Sequence, residues 1–486
     1  MIKRILLLNP PSIAKESWIE DIVCFPPLGL AYIAAVLEQS GYEVKIIDCL
    51  IEGIGNRQKV GDQLVRIGMS DDEIVEAVAQ SAPDLVGISI AYSCQMFSAI
   101  HTNSLIRGIN RNIITVAGGN HVTAAPKSIG NNTFDWLVRG EGEYRLLNLV
   151  EAINCSDTHK LVPSTICLTD VAQSNYANTR IEFIEDLNSI PFPQYRSLPL
   201  EKYWHANGGR RFITMITTRG CPFNCVFCSI HSVMGRKIRY RSVENVLNEI
   251  AFLKQEFDVK EVFFEDDNLT FNMNRAKELF NRIIQEDFGL EINFRNGIRA
   301  DRVDSELLKL MKRAGVRRVR FAPESGSQET LDRIIKKNMK LEDCEKAIRM
   351  AKDAGIEVTG LLVIGFPEET MQDIMQTIQY GHKLKKLGCD SVWVGCATPY
   401  PGTELLANCI KRGIIDEKKI DYQSLTYMDS VIHNEWFTSE EVKTIRDQAV
   451  HEFNRRTFRD TFRRGMRLLF SHPLVFAKEL YRRLGR

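Results

Sequence analysis

The chain has 486 residues, too many for one ordinary domain, so two large domains with some extras are the natural division. Lys+Arg (63) and Asp+Glu (62) nearly cancel, so no global charge calls for a nucleic-acid partner. The apolar run after Met1-Ile2-Lys3-Arg4 is too short for an export signal and no segment is apolar enough for long enough to span a bilayer, so a cytoplasmic protein with reduced thiols is expected.

From the N-terminus, strands alternate with helices. Ile5–Leu8 reads as a strand ending at Asn9-Pro10-Pro11, Leu28–Gln39 as a helix closed by Gly41, and Val44–Ile47 as a strand ending at Asp48. A helix over Asp71–Gln80 follows, capped by Ser70 or Asp71. Then come a strand at Leu85–Ile90, a helix at Gln95–Arg107, a strand at Ile113–Ala117, a short helix near Val122, a strand at Trp136–Val138 and a helix from Glu143. Five such units predict a doubly wound, Rossmann-like parallel sheet over 1–152, covered on both faces. Ligands in that architecture bind beyond the carboxyl ends of the strands.

Residues 153–208 read as a linker with short strands, since Pro191-Phe192-Pro193 opposes a helix there. A second alternating series fills 209–430. Its strands are Phe212–Thr217, Glu261–Phe264, Glu291–Phe294, Arg317–Phe321, Val358–Ile364 and Ser391–Val394. Six βα units are too few for a closed eight-stranded barrel and suit a partial (β/α)6 barrel with an open side. A helical extension occupies 431–486. Its last part, 451–486, carries ten Lys/Arg against three Asp/Glu, with Phe458, Phe462, Leu468 and Leu469 among the arginines. Such a tail either lies on an anionic membrane surface or packs on its own barrel with the arginines in water; Pro473 and the weakness of net charge as a signal favour packing.

Twelve cysteines are present, and three of them are clustered: Cys221-Pro-Phe-Asn-Cys225-Val-Phe-Cys228. The others are scattered, as small buried hydrophobes are. Three thiolates converging from a short loop after a strand can hold an iron–sulfur cubane and leave one iron open for a bound molecule. The alternative is structural zinc, for which His231 is the nearest fourth ligand.

The CxxxCxxC spacing, with Phe227 before the last cysteine and at the end of a first barrel strand, resembles the radical S-adenosylmethionine (SAM) superfamily. The resemblance implies a [4Fe–4S] cluster on Cys221, Cys225 and Cys228, with SAM chelating the open iron and a 5′-deoxyadenosyl radical formed on its reduction. Phe264-Glu265-Asp266-Asp267-Asn268 ends the second strand, where the family places polar groups near the SAM amine, which points to Asp266 and Asp267. Pro323-Glu324-Ser325-Gly326 resembles the contact to the SAM amino acid and ribose, and Gly365 lies in the adenine-side segment Leu362–Pro367. The bland reading of Asp267 and Ser325 is that they cap the next helix.

A doubly wound sheet before such a barrel resembles the cobalamin-dependent class of radical SAM enzymes. The text that carries this is Asn9-Pro10-Pro11, Pro26-Pro27-Leu28-Gly29-Leu30-Ala31-Tyr32, Val116–His121 and Val138–Glu143. The resemblance implies cobalamin at the strand-end loops holding Asn9, Pro10, Ser89, Tyr92, Ser93, Gly118, Gly119, His121, Gly140 and Glu141. No DxHxxG motif is present, so no histidine is assigned below the cobalt, and His121 reads first as structural.

For such a pair of cofactors the resemblance implies methyl transfer to an unactivated carbon, or to phosphorus, of a small-molecule or lipophilic substrate. It also implies a flavodoxin- or ferredoxin-type electron donor. A ring-forming or ring-contracting enzyme, similar to the anaerobic magnesium-protoporphyrin cyclase, is the second expectation. A non-catalytic cluster or cobalamin sensor is a third. A methylthiolating enzyme acting on RNA would need a basic C-terminal domain, and the tail is too short for one.

Overall fold

The computed structural model describes residues 1–130, 133–156, 162–168 and 181–455. They form two compact units, Met1–Ala206 with Ser232–Met234, and Asn207–His231 with the chain from Gly235 onward.

The first unit is built on a sheet of β1 (Arg4–Asn9), β2 (Glu43–Asp48), β3 (Leu85–Ser89), β4 (Ile114–Gly118), β5 (Trp136–Val138) and β6 (Thr165–Cys167). The order is β2-β1-β3-β4-β5-β6, and the first five strands are parallel. Ile5, Leu6, Leu7 and Leu8 are all buried, which is why an unbroken apolar run, not an alternating one, makes the central strand. Helices sit as the periodicity predicts, at Leu28–Gln39, Asp71–Ser81, Met96–Ile109, Asn120–Ala124 and Gly142–Asn154. Ser70 closes a capping box with Glu73, accepting the Glu73 N–H while its own N–H donates to the Glu73 carboxylate.

Three features of this unit differ from the sequence expectation. The sheet is not wholly parallel, because β6 runs antiparallel to β5 at the edge. A small antiparallel sheet of Ser12–Lys15, Arg57–Lys59 and Leu64–Ile67 occupies the polar stretches around the first helix pair. The described part of 153–206, expected as a linker, belongs to this unit. It supplies β6, a backbone bond from Gln194 to Ala31, and a helix, Leu200–Ala206, whose Tyr203 reaches Asp48. These pairings are long-range in sequence and leave no periodic signal.

The second unit has β7 (Phe212–Met215), β8 (Glu261–Phe264), β9 (Glu291–Phe294), β10 (Arg318–Glu324), β11 (Glu357–Ile364) and β12 (Ser391–Cys396). All pairs are parallel and sequential. Parallel bridges Ile292–Val316 and Ile298–Phe321 join β9 to β10. This is the six-stranded partial barrel that the alternation predicts.

The helix Ser439–Asn454 borders the last strand. Asn454 mimics a strand residue there: its amide accepts from Val392 N–H at 3.2 Å and donates to Val392 O at 2.7 Å. That covers an otherwise open edge. Of the basic tail 451–486, residues 451–454 end the helix Ser439–Asn454, and those from 456 onward lie outside the described residues.

Candidate active site

In the first unit the strand ends line up. Asn9 pairs with Asp48, Ser89 with Gly118, and Gly118 with Val138, so the loops singled out in the sequence share one edge of the sheet. Numbering only the five parallel strands, the order is 2-1-3-4-5, and the direction of winding reverses between β1 and β3. Asn9 and Ser89 end those two strands. The Asn9 amide donates to the buried Asp48 carboxylate at 2.8 Å, and Tyr203 OH donates to the other oxygen at 2.5 Å. Gln95 donates to Asn9 Oδ1 at 3.4 Å. Burial pushes the Asp48 carboxyl up against these bonds. Asn9, Ser89, Ser93, Gly118 and Gly119 are half-exposed, and Tyr92 is exposed, so this edge leaves room for a flat ligand.

Gly119 has φ +109°, and a Cβ there would lie 2.7 Å from Ile90 O, so only glycine fits. His121 is buried. Its Nδ1 is 3.0 Å from Ser93 Oγ and its Nε2 is 2.8 Å from Ser128 Oγ, and burial pushes its pKa down to about 4. Both ring nitrogens are thus taken by hydroxyls, and His121 is a packing residue. Glu141 is likewise committed to its own chain, accepting Ile184 N–H at 2.7 Å.

In the second unit the three cysteines lie in an irregular loop after Thr218–Arg219. The peptide of Val226 is held from both sides: its N–H donates to Ile335 O at 3.0 Å, and its carbonyl accepts Leu405 N–H at 2.9 Å. Ile335 ends a π-helical turn, Thr330–Ile335. Phe227 packs on the buried Phe366, ring centroids 6.0 Å apart, tying the loop to the end of β11.

Cys221 and Cys225 lie close enough to Cys228 that ionising either disfavours its ionisation. Burial pushes all three up, Cys228 to about 12. Held together as thiolates, the three would be stabilised by a polyvalent cation, which an iron–sulfur cluster would supply. Among the described residues no three His, Cys, Asp or Glu side chains converge as ligands of a single ion, so the geometry gives no support to a mononuclear zinc site using His231. A cubane grips its thiolates through separate irons and spaces them further apart.

Around the loop the side chains divide. Asp266 is fully buried and accepts from the Thr217 and Thr218 hydroxyls, both at 2.7 Å, so it fastens β8 to the strand entering the loop and does not face a ligand. Asp267 accepts Gly220 N–H at 3.2 Å, stands near Cys221 and Cys228, and is pushed up to about 7 by burial. Asn268 points Nδ2 at Cys221 Sγ, 3.9 Å away, and its buried Oδ1 has no partner among the described residues.

Glu324 ends β10 at φ +67°, a conformation that costs a non-glycine residue energy and that clusters at ligand sites. Its carboxylate meets Lys337 Nζ at 2.7 Å. Ser325 is buried against Thr377 Oγ1 at 3.1 Å, and the cap of the following turn is Ser327 instead. Gly365 has φ +86°, and Val442 lies 2.8 Å from where a Cβ would be. Its N–H and that of Phe366 donate to the buried Glu369 carboxyl at 2.7 and 2.9 Å.

Sequence reasoning missed Lys337 and Arg299. Arg299 stacks on Phe223 of the cysteine loop at 3.5 Å, pairs with Asp301, and donates to the carbonyls of Lys337 and Asn338. The one local signal was Asn338, which tolerates its φ of +51°.

A radical SAM superfamily model matches residues 215–381, and a B12-binding domain model matches residues 23–150. The cytidylyl-2-hydroxyethylphosphonate methyltransferase of Streptomyces wedmorensis is 32% identical over 93% of this chain and 90% of its own length. The chain belongs to the cobalamin-dependent radical SAM family. An uncharacterised methyltransferase of Pyrococcus horikoshii is 33% identical over 93% of this chain and 92% of its own length. The solved cobalamin-dependent SAM radical enzyme OxsB shares the fold, with TM-score 0.69 at 17% identity over 92% of this chain and 66% of OxsB. As a cobalamin-dependent radical SAM enzyme the chain uses a [4Fe–4S] cluster, SAM and cobalamin, and such enzymes need a reductant. Among the described residues no helix is long and apolar enough to cross a membrane.

Proposed function

We propose that this enzyme methylates an unactivated carbon, or a phosphorus, of a small molecule. The observation that carries the reading is near-full-length similarity to a methyltransferase, in a chain that itself matches both the radical SAM and the B12-binding domain models. When bound, the cofactors supply hydrogen abstraction and a transferable methyl group.

The protein's part is holding and shielding. Cys221, Cys225 and Cys228 would hold three irons and leave the fourth open, with the Val226 peptide fixing the spacing between the last two. Asp267 stands where it can accept the SAM amine, and the strained Glu324, paired with Lys337, stands beside Cys225 where it can meet the same molecule. Phe227 and Phe366 wall the loop against water. Cobalamin fits beyond Asn9, Ser89, Tyr92, Gly118 and Gly119, with no ring nitrogen of His121 left for cobalt. The remaining residues of the first edge, Pro10, Ser93, Gly140 and Glu141, shape the loops. A flavodoxin- or ferredoxin-type protein is the electron donor in this reading.

The test is anaerobic reconstitution with iron, sulfide and hydroxocobalamin, then quantification of each. Near four irons and one cobalt per chain is expected, with SAM cleaved to 5′-deoxyadenosine and, with substrate, to S-adenosylhomocysteine as well. Cleavage to 5′-deoxyadenosine with substrate consumed but no methyl transferred would favour ring formation. Iron without cobalt would overturn the methylation reading.

A further inference from the structure

We propose that the inner face of the partial barrel binds an oxyanion of the substrate on Arg320, with the adjoining flat or apolar part of the substrate against Trp393 and Tyr427. The inference rests on the methyltransferase reading and adds to it a substrate class: a phosphonate, phosphate ester or carboxylate.

The pleat sorts the strands into two faces. Val319, Phe321, Val358, Val392 and Val394 are buried, and Leu384 of the helix Met371–Lys386 lies against Gly360, so this face carries the helices. Arg318, Arg320, Leu361, Trp393 and Gly395 alternate with them and face the barrel interior. In the ladder Arg320 stands beside Thr359, and Leu361 beside Trp393. Tyr427 joins them from the last loop: its carbonyl accepts Cys396 N–H at 2.9 Å, and its ring edge lies 3.8 Å from where a Gly395 Cβ would be. Trp393 and Tyr427 are 46% and 62% exposed, unusual for aromatics inside a barrel.

Arg320 differs from its neighbours. Arg295 pairs with Glu265 at 2.8 Å, Arg318 with Glu357 at 2.6 Å, and Arg210 with Glu261 at 3.4 Å. Among the described residues Arg320 has no carboxylate within reach, and its guanidinium donates only to the Arg295 carbonyl, at 2.9 Å. Solvent reaches the side chain, yet the surrounding protein pushes its pKa below the ordinary guanidinium value, and Arg318 and Arg295 push the same way. A partly desolvated cation whose arginine neighbours already have their own carboxylates, with donors to spare, is a position open to an anion. Phosphonate and carboxylate both match the planar fork of arginine.

The test uses reconstituted holoenzyme and calorimetric titration with phenylphosphonate, benzoate and neutral benzamide. Both anions or either should bind and benzamide should not; the stronger anion identifies the group. Arg320→Gln should weaken anion binding at least about tenfold, as loss of a charged hydrogen-bonding partner does. Arg320→Lys should keep part of it, and Trp393→Ala should weaken it as well. Arg320→Gln should leave thermal stability unchanged or raised, since it removes an unpaired, partly desolvated cation; a structural arginine would do the opposite. Equal binding by wild type and Arg320→Gln, or no anion binding by wild type, would overturn the inference. Iron and cobalt content and 5′-deoxyadenosine formation, read on the same samples, show separately whether the methyltransferase reading stands.

Discussion

Lys337 Nζ lies 2.7 Å from the Glu324 carboxylate, and both side chains are almost wholly buried beside Cys225. Burial works against the Lys337 ammonium, yet Glu324 and Cys225 together raise its pKa above the ordinary lysine value. Lys337→Met would leave Glu324 buried and uncompensated. We expect a loss of about 3–5 kcal/mol in denaturant unfolding of the unit, typical of breaking such a pair from one side. Lys337→Met with Glu324→Gln should recover much of that stability but not SAM binding, measured by equilibrium dialysis. A single variant as stable as wild type would contradict the pairing.

Gly119 and Gly118 are neighbours in sequence and unlike in constraint. A Cβ on Gly119 would strike the Ile90 backbone at a φ of +109°, while on Gly118 its nearest atom would be Val138 O at 3.5 Å, an ordinary contact. Gly119→Ala should therefore cost about 1–3 kcal/mol and lower the cobalt content of reconstituted protein. Gly118→Ala should change stability by less than about 1 kcal/mol. Equal effects of the two in thermal unfolding would show that the turn is not what selects glycine.

The fold was legible where physics acts over short range. The apolar run Ile5–Leu8, the Ser70 capping box and the six strands from Phe212 to Cys396 each follow from burial or capping within a few residues. What escaped was long-range pairing: the antiparallel edge strand Thr165–Cys167, and Tyr203 on Asp48 across 155 positions. The site divides the same way. The cysteine spacing is local and readable, whereas which carboxylate of Asp266 and Asp267 serves as a fastener depends on two threonine hydroxyls that the sequence does not place. Glu324 could be suspected from its strand end; Lys337 could not, because only the positive φ of Lys336 and Asn338 turns it back.

His121 offers a spectroscopic check. With Ser93 on Nδ1 and Ser128 on Nε2, neither nitrogen is left for a metal, and the imidazole stays neutral down to about pH 4. Electron paramagnetic resonance of the cob(II)alamin form should lack superhyperfine splitting from a protein histidine. His121→Ala should leave that spectrum unchanged while lowering stability by about 1–3 kcal/mol through lost packing and the lost Ser93 and Ser128 contacts, although Ser128 keeps its bond to Ala125 O. Histidine splitting that vanishes in His121→Ala would contradict the assignment.

Glu369 should make the folding stability of the enzyme depend on pH. Burial pushes its carboxyl up to about 8, even though it accepts the N–H groups of Gly365 and Phe366, and its second oxygen is buried without a partner among the described residues. The folded state thus favours the protonated form. Below the unfolded pKa of about 4.3 the group is neutral in both states. Between there and about 8 the unfolded chain gives up its proton and the folded chain keeps it, so this group's contribution to stability falls as pH rises and levels off above about 8. Glutamine is neutral at every pH and still offers an oxygen to both N–H groups. Glu369→Gln should therefore match the wild type at about pH 4 and gain on it progressively toward about pH 9 in denaturant unfolding. A difference that stays constant over that range would show that Glu369 ionises alike in both states.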